Sequence, residues 1–122
     1  MSSEEYHEPL RSLDEETLDV HRALISLIEE LEAVDWYQQR VAATSNEELR
    51  QILAHNRDEE KEHAAMVLEW LRRHDAQFDK QLRTYLLTDS EITKIEDHES
   101  PPLQPSDGTL GIGSLRGKGD AK

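Results

Sequence analysis

The chain has 122 residues, enough for one small domain, and no cysteine, which excludes disulfides, thiolate zinc sites and iron–sulfur clusters. Asp and Glu outnumber Lys and Arg 27 to 14, and the net charge of −13 argues against nucleic acid or an anionic membrane as a partner. Metal cations suit so acidic a surface, and any metal must be held through oxygen and nitrogen.

The opening segment MSSEEYHEPL lacks the basic stretch and apolar run of a signal peptide, and no apolar run approaches the length of a membrane span. The expectation is an intracellular, cytoplasmic protein. From Leu10 to Thr88 there is neither Gly nor Pro, whereas all five glycines fall between Gly108 and Gly119. The chain therefore divides into a helical body over 1–88 and a linker-like tail over 89–122.

Two capping-box patterns open the long helices: Ser12 with Glu15, and Ser45 with Glu48. After the first, Leu13, Thr17, Val20, Leu24, Leu27, Leu31, Val34 and Val41 recur at 4-3-4-3 spacing, broken only by Gln38. That spacing predicts a helical seam suited to long antiparallel packing. After the second, Leu49, Leu53, Asn56, Glu60, His63, Val67 and Trp70 keep the same rhythm. The connection over Ala42 to Asn46 is short, so the two helices should fold back as a hairpin. A third, shorter helix is expected from Asp75 to Leu87, with Phe78, Leu82, Tyr85 and Leu86 on one side. The fold class is all-α. So small a body needs a metal or a partner chain to complete its core, and oligomerisation is expected.

The seam of the second helix carries a chemical anomaly. Glu60 and His63, three residues apart, share one face at positions where apolar residues belong. A glutamate there is costly unless it is protonated, paired or bound to a cation. Glu30 occupies a matching place on the first helix, with Leu27 before it and Val34 after. Di-iron carboxylate bundles use a Glu from each of two helices and a Glu-x-x-His from each of the other two. This chain carries half that set on half the helices, so two copies about a two-fold axis would supply a complete di-metal site. Oxygen-rich ligation favours iron over structural zinc. Two simpler readings stand beside this one. Glu-x-x-His on an acidic helix is commonly solvated surface, and a protonated or paired Glu60 can act as a register device in a coiled-coil-like dimer.

The segments EELEAVDWYQQR (Glu29 to Arg40) and ILAHNRDEEKEHAAMVLEWLRR (Ile52 to Arg73) closely resemble the encapsulated ferritins. The resemblance implies that an antiparallel hairpin with a short C-terminal helix dimerises into a ferritin-like four-helix bundle. It also implies a ferroxidase that oxidises Fe(II) with O2 at a di-iron centre between two chains. Five dimers are then expected to form an annular homodecamer, carried as cargo inside an encapsulin nanocompartment that stores the iron. Matched by motif, Glu30, Glu60 and His63 are the implied iron ligands and catalytic residues, with Tyr37 and Trp36 nearby. Glu29 and Glu32 match a secondary cation site that can hold calcium, and His55, Glu59 and Glu62 match an iron entry route. Acidic ridges of this kind raise the local Fe(II) concentration, although exposed Glu pairs most often only solvate a surface.

Pro101, Pro102 and Pro105 form a stiff spacer in the tail. The segment TLGIGSLRGK, near 109–118, sets Leu110, Ile112 and Leu115 among glycines as small apolar anchors and resembles an encapsulin cargo-loading peptide. Three functions compete at this point: a ferroxidase cargo, a metal-binding protein without oxygen turnover, and a plain helical assembly protein. A rubrerythrin-type peroxidase is disfavoured by the single Glu-x-x-His and the absence of cysteine.

Overall fold

The computed structural model describes residues 6–95, and every regular element among them is helical. The expected tail anchors Leu110, Ile112 and Leu115 lie outside the described residues. Helix α1 spans Glu15–Ala43, α2 Glu47–His74 and α3 Ala76–Tyr85, with 3-10 turns at Leu10–Ser12 and Ile92–Lys94. The described residues fall into two units that divide after Gln81. The first contains the hairpin of α1 and α2, and the second begins within α3.

The helices start one or two residues later than the hydroxyl caps suggest. Asp14 caps α1 by accepting from the Thr17 backbone N–H at 2.8 Å, and Asn46 caps α2 by accepting from Leu49 N–H at 2.9 Å. Ser12 instead ends a 3-10 turn, and Thr44 Oγ1 accepts from Asn46 N–H within the connection. Asp and Asn cap at least as well as Ser, and here they sit next to the first carboxylate-rich turn. Asp75 repeats the device, accepting from Phe78 N–H at 3.0 Å at the head of α3. At its far end, Leu87 adopts a left-handed φ of 62° just beyond α3, the conformation that ends many helices at a cost glycine avoids.

The hairpin is held by apolar contact and by arginines on α2. Arg50 donates from Nε to Val41 O at 3.1 Å and also reaches Thr44 O, satisfying carbonyls that the end of α1 leaves without an intrahelical partner. Two turns along, Arg57 Nη1 donates to Gln38 Oε1 across the hairpin at 2.8 Å. Arg50, Arg57, Ala64 and Leu71 stand at seven-residue intervals, so polar ties and the apolar seam share one line along α2. Arg72 bridges Glu69 and Asp79, which ties α2 to the start of α3.

The seam itself is only half closed. Among the described residues only Ala64, Leu71 and Ile95 are buried, while Leu27, Val34 and Val41 are half-buried. Leu24 and Leu31 share the expected seam spacing but are 40% and 54% exposed, with Ile28 beside them. On α2, Ile52 and Met66 are also exposed.

Replacing either cap, Asp14→Ala or Asn46→Ala, should each cost about 1 kcal/mol, read as a shift in the urea midpoint at fixed protein concentration. A second expectation concerns Glu69, whose carboxyl is held down to about 2 by its hydrogen bond to Arg72, with Arg73 adding to it. Its contribution is therefore present above the ordinary value of 4.5 and is lost as pH falls toward 2. Because the pair is partly exposed, Glu69→Gln should cost no more than about 1 kcal/mol at neutral pH. The difference between variant and parent should vanish in acid, as followed by helical circular dichroism across the titration.

Candidate metal centre

The hairpin brings Glu30 of α1 against Glu60 and His63 of α2. One donor atom from each of the three lies within 4.8 Å of the other two, and all three side chains are half-buried. His63 Nδ1 is 3.3 Å from Glu60 Oε1 and 3.5 Å from Glu30 Oε1. The imidazole thus spans the two carboxylates, one on its own helix and one across the hairpin. Glu60 and His63 meet because residues three apart are neighbours on a helix, and Glu30 meets them because the hairpin is antiparallel and tightly turned.

The electrostatics follow from placing two carboxylates face to face. Glu30 is pushed up chiefly by its hydrogen bond to Glu60, with partial burial and the Glu60 charge acting in the same direction. Glu60 is correspondingly held down by accepting from Glu30 and then by His63. His63 is raised, first by its hydrogen bond to Glu60 and further by the charge of both glutamates. Like charges at this separation need a positive charge between them, and in the protein alone protons fill that role. A divalent cation meets the same need with more charge. Two carboxylates and an imidazole are a donor set suited to Fe(II), Mn(II) or Zn(II).

The other expected residues are distributed as follows. Tyr37 is half-buried two turns beyond Glu30, with the Arg40 guanidinium 5.3 Å from its ring centroid. Trp36 is 52% exposed, on a flank of α1 with Glu29 and Glu32, which are both exposed. His55 Nε2 pairs with Glu59 Oε2 at 3.2 Å, and Glu62 lies exposed one turn further along the same ridge. Among the described residues, neither the Glu29/Glu32 pair nor the His55 ridge gathers three donors around a common point.

The sequence of this hairpin has counterparts among known proteins. Residues 5–89 match the family described as EncFtn-like. The chain belongs to the EncFtn-like family. It is 56% identical over 128 residues to the encapsulated ferritin-like protein of Rhodospirillum rubrum, covering 96% of this chain and 91% of that one. A ferritin-like protein of Thermotoga maritima is 54% identical over 93% of this chain and 99% of its own length. The encapsulin nanocompartment cargo protein EncC of Myxococcus xanthus is 35% identical over 71% of this chain and 76% of its own. The crystal structure of protein ne0167 from Nitrosomonas europaea superposes with a TM-score of 0.70 at 64% identity, covering 71% of this chain and 96% of that one. The resemblance to encapsulated ferritins and the all-α class are thereby borne out. Every regular element among the described residues is helical, and no described helix is long and apolar enough to cross a membrane.

A metal that bound this cluster would compete with its protons, which gives such binding a defined pH dependence. The raised values of Glu30 and His63 mean that their contribution to apo stability is fully present below 4.5 and 6.5 respectively. It is lost as pH rises through the higher folded values. A metal must displace those protons, so its affinity runs the opposite way. Co(II) or Zn(II) binding should tighten between about pH 6 and about pH 8 and release protons, measured by titration calorimetry in buffers of different ionisation heat. Binding that is insensitive to pH and buffer across that window would contradict this protonation scheme.

Proposed function

We propose that this protein is a ferroxidase that takes Fe(II) as substrate, oxidises it with O2, and serves as cargo of an encapsulin nanocompartment. The observation that carries the proposal is the convergence of Glu30, Glu60 and His63 from two helices, with one donor atom of each within 4.8 Å of the others. Three donors from one chain are too few to surround a pair of metal ions. A second copy about a two-fold axis brings the total to four glutamates and two histidines, the full complement of a di-iron bundle. The exposed Leu24, Ile28, Leu31, Ile52 and Met66 support the same step, because a partner chain would remove that apolar surface from water.

Each residue then has a task. Glu30 and Glu60 give up their shared proton and place negative charge against the incoming cations. His63 is oriented by Glu60 and presents neutral nitrogen once its own proton has left. Carboxylates favour the product of higher charge, so the ligand set itself drives Fe(II) toward Fe(III). Each pair of Fe(II) ions yields two electrons, which O2 takes up with protons. Tyr37, two turns beyond Glu30 on α1, is assigned to the surroundings of the centre, as is Trp36 on the flank. Glu29 and Glu32 are assigned a secondary cation site that calcium can occupy, and His55, Glu59 and Glu62 the collection of Fe(II) from solution. Annular assembly as a homodecamer, residence in an encapsulin shell, and docking through Leu110, Ile112 and Leu115 complete the reading. The names of the relatives from Rhodospirillum rubrum and Myxococcus xanthus support its shell-associated part.

A second reading keeps the same ligands but no oxygen turnover, making the protein a metal-binding assembly. Aerobic Fe(II) oxidation with oxygen uptake separates the two. The wild type should oxidise Fe(II) well above the protein-free rate, and Glu60→Ala should lower that rate at least tenfold while retaining a helical spectrum. Stoichiometric metal uptake with no oxygen consumed selects the metal-binding assembly.

A further inference from the structure

Gln38 lies on the exposed line of α1 that carries Leu24 and Leu31, at the edge of the hairpin, and nothing in the three-donor cluster uses it. Its side chain accepts from Arg57 Nη1 at 2.8 Å, across the hairpin and 19 residues away in sequence. Arg57 is only 19% exposed and holds Asp58 with its other nitrogens, at 2.9 Å from Nε. At the edge of the hairpin, a directional bond from a half-buried guanidinium to an exposed amide can favour one register among several that apolar residues alone would tolerate. Leucines permit sliding because one leucine packs much like the next. A directional bond between two particular side chains does not.

Register matters here because the cluster has little tolerance. Sliding one helix by a single turn displaces it by about 5.4 Å, more than the 4.8 Å that contains the three donor atoms. Arg50 fixes the corner of the hairpin, but Glu60 lies ten residues beyond it, about 15 Å along the axis. Arg57 lies one turn from Glu60 and is the last cross-hairpin tie before the cluster. Among the described residues it makes no hydrogen bond to Glu60, so its influence on the site runs through helix placement. We propose that the Gln38–Arg57 hydrogen bond is a register pin that holds Glu60 and His63 opposite Glu30, with both partners acting as positioning residues.

This inference rests on the cluster being a metal site, and it is independent of whether Fe(II) is oxidised there. The test is Co(II) titration of the full-length assembled protein, followed by the visible absorption of bound Co(II). Gln38→Leu removes the acceptor at an exposed position and should melt within a few degrees of wild type, yet bind Co(II) at least about tenfold more weakly, with an altered spectrum. Gln38→Glu keeps an acceptor for Arg57 and should bind within about twofold of wild type. Arg57→Leu should reproduce the Gln38→Leu loss, and the double variant should be no worse than either single, as expected for one shared interaction. Wild-type affinity and spectrum in Gln38→Leu would overturn the proposal, as would equal losses in Gln38→Leu and Gln38→Glu. A loss that appears only together with a collapsed melting temperature also overturns it, by reducing the pair to ordinary stabilisation. If wild type binds no Co(II), the pin and the metal reading fall together. If wild type binds Co(II) without oxidising Fe(II), only the ferroxidase reading fails.

Discussion

Two carboxylates from facing helices, Glu30 and Glu60, sit close enough to share a hydrogen bond, and the rest of the molecule is arranged around that contact. Left ionised together they would repel each other across a half-dry seam. One proton between them, with His63 alongside, removes the repulsion without removing the affinity for positive charge. The site is therefore kept in a state that a cation can replace. Replacing these residues with leucines would be expected to favour the hairpin, since burying apolar groups commonly outdoes burying ionised ones. That such residues stand in the seam at all is the mark of a function weighed against stability.

The same tension explains how thin the body is. Helices of this length can form because each is capped and because their apolar faces meet, but one hairpin offers each helix a single neighbour. Leu71 is the only described side chain almost wholly removed from solvent, while Leu24, Ile28 and Leu31 stay on the surface along one side of α1. His63 is likewise 44% exposed, so the three-residue cluster lies at the edge of the hairpin rather than in its interior. The proposed function accounts for the open core and the three-donor cluster together, through one division in which each chain supplies half a bundle. A second copy would address both at once.

Much of this was legible in the sequence because helical periodicity is a strong signal. The hairpin, the short connection, the third helix and the meeting of Glu30 with Glu60 and His63 all follow from 3-4 spacing and one tight turn. Helix starts were less so. Ser12 and Ser45 fit the capping pattern, but Asp14 and Asn46 hold the caps, accepting from Thr17 and Leu49 N–H and starting each helix later. The seam was also read too simply. Leu24 and Leu31 have the spacing of core residues, yet spacing cannot say whether a face meets the neighbouring helix of the same chain or lies open. Nor does the sequence show that Gln38 and Arg57 meet, since a pairing 19 residues apart depends on where the hairpin turns.

Arg50 and Arg57 show what governs the choice of residue on the inner line of α2. Leucine at both positions would bury more apolar area and continue the run set by Ala64 and Leu71. Arginine instead binds named acceptors, carbonyls at the end of α1 in one case and the Gln38 amide in the other. Those bonds contribute modest stability in water, because each group exchanges one hydrogen-bond partner for another. Their larger effect is to penalise other alignments, in which a partly buried guanidinium would lack its acceptor. The apolar half of the line holds the helices together, and the polar half decides where along each other they stop. A cluster that must bring three donors within 4.8 Å needs the second property more than the first.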